Sequence, residues 1–473
     1  MVSRLVIVSN RIALPGGASA GGLAVAVKAA LRKQPGIWFG WSGAISEEPG
    51  PPNTTEARGV TYVTLDLPKQ DYEEYYQGFA NSVLWPILHY RVDLAEYSNA
   101  DLSGYKRVNA RFADTLAQIL RPDDTIWVHD YHLMTLAQEL RARGFQNLIG
   151  FFLHIPCPPA DILYTLPHHG DTLGSLVHYD LVGFQTENDT DNFCAYLDTE
   201  GVTRRGPHVF EVDGRRVNVD TFPVGITTEI YARAARIAAR SRFTQDLRAS
   251  LRREKLILGV DRLDYSKGII HRLQGYETFL EQRPDWRERV KLLQVTPKSR
   301  ETVPGYKEID DVVSGLVGQI NGKYGEASWT PIRYVNRSYS RMALAGMYRA
   351  AQVCLVTPLR DGMNLVAKEY VAAQDPEDPG VLILSRFAGA ASELEDGAVL
   401  VNPHETEGMA AAMRQALEMP LDERRERHAL MLRRIRDHDI DWWAQHFLNR
   451  LGEARARPSL MEGLRNLLTT FTF

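Results

Sequence analysis

The sequence predicts an α/β protein built on doubly wound, mostly parallel sheets, and three observations carry that expectation. Short runs rich in Val, Ile and Leu alternate with amphipathic stretches along the chain. Several runs are almost continuously apolar, as strands covered on both faces are. At 473 residues the chain is long enough for two domains, each with a full core.

The strand candidates, in order, are Leu5–Val8, Thr125–Val128, Leu148–Leu153, Leu181–Phe184, Lys255–Val260, Val290–Val295, Val353–Thr357 and Val381–Leu384. Helical patterns lie between them, among them Leu133–Arg143, Ile269–Gln282 and Glu407–Leu417. Strand–helix alternation of this kind argues for Rossmann-like sheets with helices on both faces. An Ala/Arg-rich stretch, Ala232–Ser241, follows Phe222-Pro223-Val224-Gly225, and a new strand starts near Lys255. The expected division is therefore 1–238 and 239–473. Near the C-terminus, Trp442, Trp443, Phe447 and Leu451 recur at helical spacing, which suits a terminal helix that packs back across the first domain.

A net charge of −4 argues against nucleic acid or an anionic membrane as the main partner. Cys157, Cys194 and Cys354 show no metal-ligand spacing and suit a reducing compartment. No apolar run approaches the roughly 18 residues of a membrane helix. Met1 to Arg11 reads as a strand ending in Asn-Arg, not as a signal peptide. A cytoplasmic enzyme is expected.

Chemistry concentrates in three places. The run Asp361-Gly362-Met363-Asn364-Leu365-Val366-Ala367-Lys368-Glu369 follows a strand and leads into a helix from Asn364 to Gln374. Such a turn offers free backbone N–H groups and a positive dipole end to an anion. Asp361 and Glu369 flank it and suit hydroxyls; as helix, the segment spans about 12 Å, the reach from sugar to ribose in a nucleotide-sugar. The same residues also fit a buried turn with a capping Asp and a solvated Glu.

The second place is Asp261-Arg262-Leu263-Asp264-Tyr265-Ser266-Lys267-Gly268, between the Lys255–Val260 strand and the helix beginning at Ile269. Two fixed cations in one loop suit a diphosphate, whose charge grows as it leaves; a surface loop with local ion pairs has the same composition. The third lies in the first domain. Arg11 ends the first strand, and Gly21-Gly22 precede a helix from Ala24, where the backbone can approach a phosphate. His129-Asp130-Tyr131-His132 and His154-Ile155-Pro156 end two further strands. His129 and His132 lack a third ligand at zinc spacing. Tyr76, Trp85 and Arg91 lie in an aromatic-rich stretch that suits either sugar stacking or core packing.

Taken in order, these segments closely resemble the trehalose-6-phosphate synthases, retaining glycosyltransferases of family 20. The matching segments include Val8-Ser9-Asn10-Arg11, Trp38-Phe39-Gly40-Trp41-Ser42-Gly43, Leu84-Trp85-Pro86, Trp127-Val128-His129-Asp130-Tyr131-His132 and His154-Ile155-Pro156. Gly183-Phe184-Gln185-Thr186, Arg262 to Gly268, Ile320-Asn321-Gly322-Lys323-Tyr324-Gly325 and Asp361 to Glu369 continue the match. It runs from about residue 5 to about residue 405.

The resemblance implies a GT-B architecture, in which two Rossmann-like domains face a central cleft and the C-terminal helix crosses back to the first. It implies an acceptor-binding domain at 1–238 and a nucleotide-sugar-binding domain at 239–473. The reaction implied is transfer of glucose from UDP-glucose to glucose 6-phosphate with retained configuration. His154, Arg262, Lys267 and Asp361 would be catalytic. Gly22, Arg262, Lys267, Asp361, Gly362, Met363, Asn364, Leu365 and Glu369 would hold the donor. Arg11, Tyr76, Trp85, Asp130 and Arg300 would hold the acceptor.

The favoured route is same-face attack, in which the leaving diphosphate oxygen accepts the acceptor's proton. No Asp-x-Asp motif stands where a metal-dependent enzyme carries one, so neither metal nor cofactor is expected. A homo-oligomer is expected, with no nucleic-acid or membrane partner. The pattern departs at Cys157, where relatives commonly carry a larger apolar residue, and in Thr296-Pro297-Lys298, ahead of Ser299-Arg300. GDP- or ADP-glucose as donor, a cyclitol acceptor, or a silent sugar-phosphate sensor remain as alternatives.

Overall fold

The computed structural model describes residues 3–15, 22–34, 36–251, 253–297 and 304–454. The chain divides into two compact units. The first holds the chain up to Ile87, Glu96–Phe222 and the helix from Ala444 onward; the second holds Leu88–Ala95 and Pro223–Trp443. The expected boundary at 238/239 therefore moves back to Phe222–Pro223. The reason is the Thr228–Ala238 helix, whose buried face of Thr228, Tyr231, Ala235 and Ala238 packs against the Arg341–Ala350 and Leu365–Ala373 helices of the second unit. Its Ala/Arg composition resembles a linker, but the small residues fall on one side at helical spacing.

Ten described strands form the first sheet: β1 (Leu5–Arg11), β2 (Gly36–Ser46), β3 (Asn53–Ala57), β4 (Val60–Pro68), β5 (Thr125–His129), β6 (Leu148–Phe152), β7 (Leu181–Phe184), β8 (Thr203–Gly206), β9 (Val209–Val212) and β10 (Arg215–Thr221). Their spatial order is β3-β4-β2-β1-β5-β6-β7-β10-β9-β8. The strands from β4 to β10 run parallel, and β3, β9 and β8 add antiparallel edges. These edges escape the apolar-run reading because β3 and β8 are mostly exposed and polar. The helix Ile440–Ala454 joins this unit from Ala444 on. Its Phe447 ring stacks on Trp127, centroids 4.4 Å apart. Gly150 and Gly183 make room: a Cβ at either would lie 2.8 Å from a Phe447 ring carbon.

The second sheet is parallel throughout and contains β11 (Lys255–Val260), β12 (Val290–Val295), β13 (Ile332–Val335), β14 (Val353–Val356), β15 (Val381–Ser385) and β16 (Val399–Val401). Its order, β13-β12-β11-β14-β15-β16, is that of a dinucleotide-binding fold, whose ligand crevice lies where the winding reverses. That point falls between β11 and β14, with Ile257 opposite Val353 and Leu258 opposite Cys354. In the first sheet the same reversal falls between β1 and β5. The three cysteines are buried free thiols. Among the described residues, no helix is long and apolar enough to cross a membrane.

Candidate active site

In the second unit the two reversal strands deliver the two motif loops side by side. After β11, Asp264 Oδ1 accepts the Ser266 N–H at 2.9 Å and curls the chain into a short 3₁₀ turn, Tyr265–Lys267. Gly268 then turns left-handed at φ 64° and opens the Ile269–Gln282 helix. A Cβ at Gly268 would sit 2.2 Å from the Thr357 carbonyl, so the loops after β11 and β14 meet backbone to backbone. The Leu359 N–H donates to Ser266 O across the same contact, at 2.7 Å.

This closeness brings Lys267 Nζ within 2.5 Å of Asp361 Oδ2. Asn364 Nδ2 donates to the same oxygen at 3.0 Å. Asn364 itself is left-handed (φ 71°), a conformation its residue type tolerates, and it precedes the nine-residue helix Leu365–Ala373. The Asp361-Gly362-Met363 backbone is held by a loop that sequence reasoning left unassigned. Asp361 N–H donates to Phe387 O, Gly389 N–H to Asp361 O, and Ala390 N–H to Met363 O. Gly389 has no substitute here, because a Cβ would fall 1.8 Å from Gly362 O.

Beneath the loops lies Arg272, fully buried. Its guanidinium donates to Asp261 Oδ2 (2.5 Å), Gln294 Oε1 (3.0 Å) and Thr357 Oγ1 (3.0 Å), and so ties together the ends of β11, β12 and β14. Burial holds the Asp261 carboxyl above its ordinary value, and the Arg272 guanidinium offsets only part of that rise. The sequence signal was an arginine on the buried face of the Ile269–Gln282 helix. Arg262, in contrast, is exposed. One turn inside the Leu365–Ala373 helix, Glu369 accepts the Tyr231 phenol at 2.6 Å and the Tyr348 phenol at 3.1 Å. Burial raises its pKa, and the two phenols act against that rise.

In the first unit, β1, β5 and β6 end together. Arg11 closes β1 with its guanidinium 5.6 Å from the Trp41 ring. Gly43, at φ 93°, leaves it room: a Cβ would lie 2.7 Å from Arg11 Nε and Nη2. Tyr76 stands 5.3 Å from the same Trp41 ring and stacks on His132 at 5.9 Å. It is carried on the Tyr72–Leu84 helix, a widened one in which the Trp85 N–H reaches Ala80 O. Trp85 is buried and packs on Tyr131 at 5.7 Å. Arg11 and Tyr76 thus converge on Trp41 of the Trp38–Gly43 segment, a residue whose type alone assigns it no role.

Asp130 holds a left-handed backbone (φ 76°), strained for a non-glycine residue and maintained by its N–H bond to Phe152 O at 2.8 Å. Its Oδ1 accepts the His154 N–H at 3.3 Å. His154 Nε2 meets His129 Nδ1 at 3.1 Å. Burial lowers His154 to about 3, and His129 falls well below its ordinary value through burial and the neighbouring His154. Both imidazoles are therefore neutral near pH 7, so one N–H lies between them. Gly22 opens the Gly22–Lys33 helix. Arg300 lies outside the described residues. Among the described residues, no group of three or more His, Cys, Asp or Glu is placed to hold a metal ion.

Residues 9–453 match the model of glycosyltransferase family 20. This chain belongs to glycosyltransferase family 20. Among family members, a trehalose-6-phosphate synthase of Sinorhizobium fredii is 52% identical over 457 residues, 95% of this chain and 98% of that protein. A UDP-forming α,α-trehalose-phosphate synthase from Burkholderia xenovorans, solved in complex with glucose 6-phosphate, superposes with a TM-score of 0.92 at 47% identity, covering 95% of this chain and 100% of that one. An E. coli trehalose-6-phosphate protein bound with UDP-2-fluoro glucose superposes at 0.91 with 45% identity, covering 96% of this chain and 100% of that one. The family's two-sheet GT-B architecture is the one described above, and the enzyme class is that of a glycosyltransferase.

Proposed function

We propose that this chain is a UDP-forming trehalose-6-phosphate synthase, which transfers glucose from UDP-glucose to glucose 6-phosphate with retention of configuration. The observation that carries the reading is the pairing of Lys267 with Asp361 at the switch point of the second sheet. A cation for the diphosphate and a carboxylate for the sugar stand together at the N-terminus of the Leu365–Ala373 helix. Arg262 adds a second cation from the same loop as Lys267.

In this reading the donor diphosphate lies on Arg262, Lys267 and the N–H groups near Leu365 and Gly22. Gly362, Met363 and Asn364 shape the turn, and Asp361 takes hydroxyls of the transferred glucose. Glu369, braced by Tyr231 and Tyr348, takes the ribose hydroxyls. Arg11, Tyr76, Trp85 and Arg300 receive the acceptor phosphate, and Asp130 its hydroxyls. His154, neutral and fixed by His129, lies against the reacting glucose. With no carboxylate nucleophile assigned, catalysis rests on aligning the substrates and stabilising the departing diphosphate, which takes the acceptor's proton on the face it leaves.

A cytoplasmic location and self-association belong to the same proposal; sedimentation of the purified protein reads the second. The activity is tested by incubation with glucose 6-phosphate and UDP-, GDP- or ADP-glucose in turn, followed by nucleoside diphosphate release and identification of the sugar product. Trehalose 6-phosphate formed fastest from UDP-glucose is the expected result. No release from any donor would sink the assignment.

A further inference from the structure

Lys368 sits inside the Asp361–Glu369 segment, yet the proposed chemistry gives it no task. Its side chain is 0% exposed. It lies one residue before Glu369 and therefore points about 100° away around the helix. Its Nζ donates to Val224 O at 2.8 Å and pairs with Glu393 Oε2. Glu393 Oε1 in turn accepts the His438 Nδ1–H at 3.1 Å, with Arg434 Nε 3.6 Å away.

Each partner belongs to a segment that bears on the donor turn. Glu393 stands on the short Ala391–Leu394 helix, directly after the 387–390 loop that brackets Asp361 and Met363. Val224 follows the point where the chain enters the second unit. Its neighbour Gly225 would place a Cβ 2.4 Å from His438 O, and Ile440 N–H donates to Ile226 O at 3.1 Å. The Lys368–Glu393 pair is the one charged junction of these segments with the Leu365–Ala373 helix among the described ion pairs.

A buried ion pair surrenders the hydration of both charges, and an apolar pair of similar volume often stabilises a fold as well or better. What apolar side chains lack is direction. Charge-assisted hydrogen bonds fix a donor and acceptor within narrow limits of distance and angle.

We propose that Lys368 and Glu393 are positioning residues of the donor site: they set how the Leu365–Ala373 helix seats against the 387–390 loop, so that its N-terminal N–H groups, Asp361 and Glu369 face one nucleoside diphosphate-sugar together. The proposal rests on the donor reading above. The test compares wild type with a K368M/E393L double variant by thermal melting, UDP titration calorimetry and steady-state kinetics. The double variant should still fold, melting somewhat lower because Val224 O and His438 lose their partners, while its UDP affinity falls about tenfold and its KM for UDP-glucose rises to match, the scale of one lost directional contact. Its KM for glucose 6-phosphate should hold.

Native UDP affinity in the folded double variant would overturn the proposal and leave the pair merely structural. Should the double variant fail to fold, Glu393→Gln keeps the shape and removes the charge. This variant should melt lower, because the buried Lys368 loses its counter-charge; weaker UDP binding measured on its folded form supports the proposal, and native binding overturns it. Absence of UDP binding in wild type would instead overturn the donor reading itself.

Discussion

Lys267 Nζ and Asp361 Oδ2 lie 2.5 Å apart, although 94 residues separate them along the chain. Each neutralises the other in the absence of substrate. In the proposed reading, a diphosphate arriving beside Lys267 would compete for its charge and release Asp361 towards sugar hydroxyls. Lys267→Ala should therefore lower kcat by about 100-fold, the scale of losing one preorganised charge stabiliser. The KM for glucose 6-phosphate should hold. An unchanged turnover rate in steady-state kinetics would contradict the role.

The contact of Gly43 with Arg11 makes a second expectation. Gly43→Ala places a methyl group 2.7 Å from the guanidinium at a backbone φ of 93° and must displace the arginine. The KM for glucose 6-phosphate should rise about tenfold, as for one lost charge-assisted hydrogen bond, with the KM for UDP-glucose unchanged. Equal effects on both substrates would remove Arg11 from the acceptor site.

Gly268 combines a left-handed backbone with a 2.2 Å approach to Thr357 O. Gly268→Ala should destabilise the second unit by about 2 kcal/mol or more. Urea denaturation followed by tryptophan fluorescence measures it; wild-type stability would mean that the two loops separate at no cost.

Tyr231→Phe removes one of the two phenols that brace Glu369. The carboxylate stays but its aim loosens, so UDP affinity should fall about fivefold, near 1 kcal/mol. Calorimetry with UDP decides it, and native affinity would leave Glu369 held without Tyr231.

The depressed histidine pair bears on acid stability. His154 has an ordinary pKa of 6.5 and a folded value near 3, so below pH 6.5 the unfolded chain binds a proton that the folded chain refuses. Stability is therefore full above pH 6.5 and falls as pH drops towards 3, by up to about 1.4 kcal/mol per pH unit from this group. His129 acts in the same direction. Replacing His154 with Asn should flatten melting temperature against pH across that window; an unaltered slope would assign the acid loss elsewhere.

Much of this was legible in the chain itself. β7, β11, β12 and the Ile269–Gln282 helix begin and end where the apolar periodicity placed them. Parallel strands are covered on both faces, so a local run of Val, Ile and Leu suffices to announce them. The exposed edges β3 and β8 carry no such run, and nothing local assigns the helix at Thr228–Ala238 to the second unit, because its partners lie more than 100 residues downstream.

The charged motifs, their order and the glycosyltransferase family were determined by the sequence alone, since residue type and spacing are local properties. Which groups touch was decided only by the tertiary structure. The packing of β11 against β14 put Lys267 on Asp361 and set Arg272 beneath both loops, and the packing of the Thr228–Ala238 helix on the Leu365–Ala373 helix brought Tyr231 to Glu369. The close of β5 beside β6 joined His129 to His154. Such contacts depend on strand order and register, which bring together side chains that no window of sequence contains.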